Sequence, residues 1–193
     1  MKRRSSSLAV AGAALLLAGC TTASAAPTSD APEDELTATV LVLEDEGGSG
    51  PMMCAGAVAA SSPPGCAGPA IDGWNWSDVD DETSESGVTW GDYVVFGTWD
   101  GTRFTMTRPA EQAPADANEA SVPRSDPADQ DAVTRATEDY SSRPFSPTGM
   151  LAVGDRDGRA TVDVFYDDGT MQAEADALYG EDVVVVTSAL RPA

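Results

Sequence analysis

The stretch Tyr93-Val94-Val95-Phe96-Gly97-Thr98-Trp99-Asp100-Gly101-Thr102-Arg103-Phe104-Thr105-Met106-Thr107 decides the fold class. Two β-branched and aromatic runs flank Asp100-Gly101, a dipeptide favoured in two-residue type I′ hairpins because both central positions need positive φ. In the second run Phe104 and Met106 share one face while Arg103, Thr105 and Thr107 take the other, which predicts one buried and one wet side. Upstream, Leu36–Leu43 is a partly alternating strand closed by Glu44-Asp45-Glu46-Gly47-Gly48, and a poorer strand is predicted over Pro51–Ala60. Ser61-Ser62-Pro63-Pro64-Gly65 then turns the chain, and Ile71–Trp76 predicts a further strand. Residues 36–108 therefore read as a mostly antiparallel barrel or sandwich, with an OB-like barrel a candidate on strand count alone.

Beyond it the composition shifts. Residues 109–126 carry Ala, Glu, Gln, Asp, Asn, Ser and three prolines, and are expected to form a flexible linker. Ser125-Asp126-Pro127 reads as a helix start, followed by a stripe of Ala132, Val133, Ala136 and Tyr140. Met150–Val153 and Ala160–Tyr166 are predicted strands joined through Asp155-Arg156-Asp157-Gly158. Thr170 is placed to cap a helix with Met171, Ala175 and Leu178 at helical spacing, stopped by Gly180. Val183–Val186 is apolar on both faces, the mark of a central strand. The whole is thus an α+β chain whose residues 127–193 form a small α-β-β-α-β domain.

The first residues carry an address. Met1-Lys2-Arg3-Arg4 is a basic segment, and the apolar run Leu8–Leu17 that follows is too short to span a bilayer, so residues 1–19 are expected to be a signal peptide. Ser6 and Ser7 stand where a twin-arginine signal carries hydrophobic residues, which favours the general secretory route. Leu17-Ala18-Gly19-Cys20 resembles the lipobox of bacterial lipoproteins. That resemblance implies that Cys20 receives a diacylglyceryl group and becomes the first residue of the mature chain, anchored by acyl chains such as palmitate. Each buried methylene would add about 0.8 kcal/mol to membrane binding. The expected location is the extracytoplasmic face of the cell membrane, with residues 20–35 as a disordered tether.

Charge excludes several partners. With Lys2, Arg3 and Arg4 removed, 8 of the 11 basic residues remain against 32 acidic ones, a net charge of −24. Such a surface repels nucleic-acid phosphates and anionic headgroups, so no nucleic-acid partner is expected and the membrane is reached through the lipid. With Cys20 acylated, Cys54 and Cys66 are an even pair in an oxidising compartment and are expected to form a disulfide. Closing that loop would contribute about 3 kcal/mol on the chain-entropy model. A zinc site lacks ligands, because the chain has no histidine.

The same absence removes Ser-His-Asp, Cys-His and histidine-ligated metal mechanisms. No lysine survives processing, which eliminates Schiff bases, Ser-Lys dyads and the P-loop lysine. Carboxylate chemistry is what the composition leaves to an enzyme, and no catalytic residue or cofactor is assigned. Asp78, Asp80, Glu82 and Glu85 form the densest acidic cluster, a solvated loop or a weak Ca²⁺ site without the glycine an EF-hand needs. Trp74 and Trp76, two apart on the predicted strand, would point the same way, and with Trp90 and Trp99 they are either core or a sugar-stacking platform.

Met53-Cys54-Ala55-Gly56, Pro63–Pro69, Gly73-Trp74-Asn75-Trp76, Trp90-Gly91 and Gly97–Gly101 together resemble a group of uncharacterised secreted lipoproteins of actinobacteria. The tail Tyr166–Gly169, Tyr179-Gly180 and Ser188–Pro192 shares the resemblance. It implies lipid anchoring, the disulfide and the two-part layout, and carries no activity. The expectation is a non-enzymatic binding or structural module facing envelope protein or polysaccharide, with a glycan-binding protein, a Ca²⁺-dependent module and a carboxylate hydrolase as alternatives.

Overall fold

A computed structural model describes residues 34–56, 58–114 and 128–193. The signal peptide, Cys20, the tether up to residue 33, most of the linker and the Ser125-Asp126-Pro127 helix start lie outside them. In chain order the first strands are β1 (Leu36–Asp45), β2 (Met52–Cys54), β3 (Ile71–Asp72), β4 (Thr83–Glu85), β5 (Val88–Trp99), β6 (Phe104–Met106) and β7 (Glu111–Gln112). There follow α1 (Gln130–Ser141), β8 (Met150–Arg156), β9 (Arg159–Val164), α2 (Thr170–Tyr179), β10 (Val184–Ser188) and β11 (Arg191–Pro192).

The fold is mixed α+β and is organised by one long pairing. β1 and β5 run antiparallel over ten residues, from Leu36 opposite Gly97 to Asp45 opposite Val88. Alternation puts Leu36, Ala38, Val40 and Val42 on the same face as Tyr93 and Val95, and all six are buried. Each of the buried Leu and Val side chains among them contributes about 1.5–3 kcal/mol from burial. Short strands line both flanks of the pair: β11 and β2 follow β1, while β4, β7 and β6 follow β5, with β3 outermost beside β6. The result is a sheet curled into a half-barrel. Met53, Ile71, Phe104, Phe165 and Leu190 complete its core, the last two contributed by the C-terminal half of the chain.

The second sheet has the order β10-β9-β8, with β9 parallel to β10 and antiparallel to β8. Ala132, Val133, Ala136 and Tyr140 bury the predicted stripe of α1 against Val162 and Val164. Helix α1 begins later than expected, because Asp129 is the N-cap and its carboxylate accepts from the N–H groups of Asp131 and Ala132.

Several local expectations are overturned. Asp100-Gly101 does not make a two-residue turn: Trp99 pairs with Phe104, leaving the four-residue loop Asp100–Arg103. Asp100 Oδ1 accepts from Thr102 N, Thr102 Oγ1 and Arg103 N, each at 2.8 Å, and this wider turn satisfies more donors than a tight one. The loop shifts register by two residues, so Phe104 still faces inward. Two-residue turns with both φ values positive occur instead at Ser86-Gly87 and Asp157-Gly158. The predicted strands over Pro51–Ala60 and Ile71–Trp76 shrink to three and two residues. Residues 111 and 112, expected in a flexible linker, pair with Val94 and Tyr93.

Val183–Val186 is not central, since β10 is an edge strand. Its edge is closed by a side chain: Gln172 Nε2 donates to Val184 O at 3.0 Å while its Oε1 accepts from Val186 N at 2.9 Å. The amide thereby mimics a neighbouring strand and blunts the exposed edge. Thr170 does not cap α2; the Asp167 carboxylate accepts from the N–H groups of Met171 and Gln172, and Leu178 points to solvent.

Gly97 is where the main pairing tolerates no side chain. A Cβ there would lie 2.7 Å from the Phe104 ring and closer still to the Thr105 carbonyl oxygen. Gly97→Ala is expected to lower stability by about 2–4 kcal/mol in urea unfolding, and a loss below about 0.5 kcal/mol would contradict this packing.

Candidate functional site

The four tryptophans do not form one platform. Trp74 and Trp76 are not on a strand: Gly73, at φ +83°, ends β3, and Trp76 opens a 3₁₀ turn over Trp76–Asp78. They still meet, edge to face, with ring centroids 5.1 Å apart, and Trp74 also packs 5.0 Å from Tyr93. Trp76 Nε1 donates to Glu44 Oε2 at 2.6 Å, and Tyr93 Oη donates to the Asp80 carbonyl at 3.1 Å. Trp99 packs instead on Phe165, 4.6 Å between centroids. Trp90 pairs with Leu43 on the opposite face of β5 from Tyr93. All four rings are half-buried, so each is partly core.

Trp74 has two further properties. Its indole N–H is shielded and has no acceptor among the described residues, an arrangement that costs about 1–3 kcal/mol. Its ring also lines an open cleft of about 530 Å³, between the 73–79 segment and the end of β6 running into residues 107–110. That volume lies within the range of about 300–1,000 Å³ typical of small-molecule sites. The two walls are held together because β3 pairs parallel with β6, Ile71 opposite Phe104.

One wall is shaped by Asn75, whose Oδ1 accepts from Ser77 N at 3.1 Å and whose Nδ2 donates to Asp78 Oδ2 at 3.2 Å. Met106, Arg108 and Ala110 belong to the other. The Arg108 guanidinium lies 3.3 Å from the centre of the Phe96 ring, 3.3 Å from Glu35 Oε2 and 3.7 Å from Glu111 Oε1. Glu35 is buried, and its second oxygen accepts from Thr107 Oγ1. The Glu35 carboxylate is therefore charge-paired by Arg108 and hydrogen-bonded by Thr107.

The predicted acidic residues are dispersed. Asp78 is engaged by Asn75, Glu85 sits on β4 and accepts from Ser62 Oγ at 2.6 Å, and Asp80 and Glu82 lie in the exposed connection between them. Among the described residues no three Cys, Asp or Glu side chains converge as metal ligands. Cys54 and Cys66 form a disulfide, with Cα atoms 5.9 Å apart, tying β2 to the start of the 66–71 segment. The carboxylates of Asp100 and Asp168 are held below the usual range by backbone and hydroxyl donors of their own turns, Thr102 and Thr170. Neither faces the cleft.

The sequence reading missed the second wall and the Glu35–Arg108 pair, whose partners are 73 positions apart. The alternation placing Met106 inward was the available signal for the wall. Comparison with protein-family models, with curated proteins and with solved structures finds no match.

Burial raises the pKa of the Tyr93 hydroxyl, and the nearby carboxylates of Glu82, Asp81, Asp80 and Asp92 raise it further. A raised folded pKa means that stability is intact below the unfolded value, about 10, and falls as pH rises through the folded one. Tyr93→Phe is expected to flatten part of the fall in melting temperature as pH rises above about 10. An unchanged slope would contradict the burial of this hydroxyl.

Proposed function

We propose that this chain is a cell-envelope lipoprotein, anchored through Cys20, that acts by binding and not by bond-breaking chemistry. The Trp74 cleft carries the reading: it joins a half-buried aromatic ring to polar side chains fixed by their neighbours. A preformed concave surface of that kind suits a small ligand or one unit of a polymer. The neighbouring groups also argue for binding over catalysis, because Asp78 and Arg108 are each engaged with other side chains.

Location is supported by the Leu17-Ala18-Gly19-Cys20 stretch and by the Cys54–Cys66 disulfide, which suits an oxidising compartment. Metabolic labelling with an alkyne palmitate analogue is expected to mark the wild-type chain and not Cys20→Ala. The same substitution should move the bulk of the protein from the membrane pellet to the medium. Membrane retention of unlabelled Cys20→Ala would overturn the anchor.

A further inference from the structure

We infer that the Trp74 cleft is a subsite for one ring of a neutral saccharide, an assignment that rests on the reading of the chain as a binding module. Among the described residues Trp74 is the one aromatic ring lining the cleft, and Met106 and Ala110 extend its apolar surface. Asn75, Asp78 and Thr107 interrupt that surface with donors and acceptors. A sugar ring has the matching division, an apolar C–H face and a rim of hydroxyls, whereas an acyl chain would strand those polar groups. The indole N–H of Trp74 is shielded and has no acceptor among the described residues, so a ring movement on binding would offer it to a hydroxyl oxygen.

Charge selects the neutral form. Arg108 is the cation on the cleft wall, and it is already held by Glu35, Glu111 and the Phe96 ring. With a net charge of −21 over the full sequence, the surroundings disfavour a uronate or a phosphorylated sugar. A cationic occupant is also poorly served, since among the described residues Asp78 is the single carboxylate lining the cleft and Asn75 donates to it. One aromatic ring does not make the cage that recognises quaternary ammonium groups.

The test uses the purified full chain in a zwitterionic detergent, titrated with hexaoses of glucose, mannose, galactose and arabinose and with hexagalacturonate. Tryptophan fluorescence and calorimetry report binding. Saturable binding of at least one neutral hexaose is expected, with hexagalacturonate weaker by about ten-fold or more. Trp74→Phe, which keeps a ring on Tyr93, should weaken the neutral hexaose by about five-fold, and Asp78→Arg, on the exposed rim, by about ten-fold. Melting temperature should stay near the wild-type value in both, and Trp90→Phe should bind as wild type. The inference is overturned if no neutral hexaose binds, if hexagalacturonate binds as tightly, or if affinity survives both substitutions. Acyl labelling of the same preparation separates the two readings: a lipidated chain that binds no neutral hexaose overturns the saccharide alone, and an unlipidated chain that binds one overturns the anchor alone.

Discussion

The ten-residue antiparallel pairing of β1 with β5 is the constraint on which the rest of the half-barrel depends. Five shorter strands take their hydrogen bonds directly from one of these two, and none exceeds three residues. Strands that short are marginal by themselves, so their positions follow from the long pair and from the core on its inner face. Gly91 and Gly97 show how closely that face is filled: a Cβ at Gly91 would lie 2.7 Å from the Tyr93 ring, and one at Gly97 would meet Phe104. Tyr93 can lie over Gly91 only because that position is bare, and Trp74 then packs on Tyr93.

The cleft is a consequence of this arrangement. β6 leaves β5 through the Asp100 loop, β3 adds to β6 in parallel, and the chain after Gly73 falls back onto the aromatic end of the core. Trp74 is thus supported from beneath by a buried side chain, while the wall opposite is fixed by Arg108 between Phe96 and Glu35. A surface built on such rigid supports would lose little entropy on binding a ligand. The C-terminal residues add to the same structure, since Phe165 and Leu190 enter the core and β11 pairs with Leu36 and Thr37.

Much of the secondary structure was legible because its signals are local. The alternation in Leu36–Leu43 and Phe104–Met106, the α1 stripe and the Gly180 stop all correspond to observed elements. The disulfide followed from counting cysteines. Errors arose where tertiary partners decide. The run Val183–Val186 looks central because both its faces are apolar, yet Gln172 closes the edge from a helix, and no pattern within the strand announces that. Asp100-Gly101 matches a tight turn by composition, but three donors within reach of one carboxylate favour a wider loop. Trp74 and Trp76 were expected to point the same way from a strand; they lie instead beyond β3, at a 3₁₀ turn, and pack edge to face in a partly buried cluster. The opposite wall of the cleft depends on a parallel pairing between β3 and β6 that sequence separation hides.

Native-state amide hydrogen exchange tests the governing role of the long pair most directly. If β1 and β5 organise the half-barrel, the amides of Val40, Val42, Tyr93 and Val95 will be among the slowest in the protein and will exchange only through global unfolding. Exchange of these four at the rate of the exposed residues of β8, through local opening that leaves the rest of the fold intact, would contradict the account.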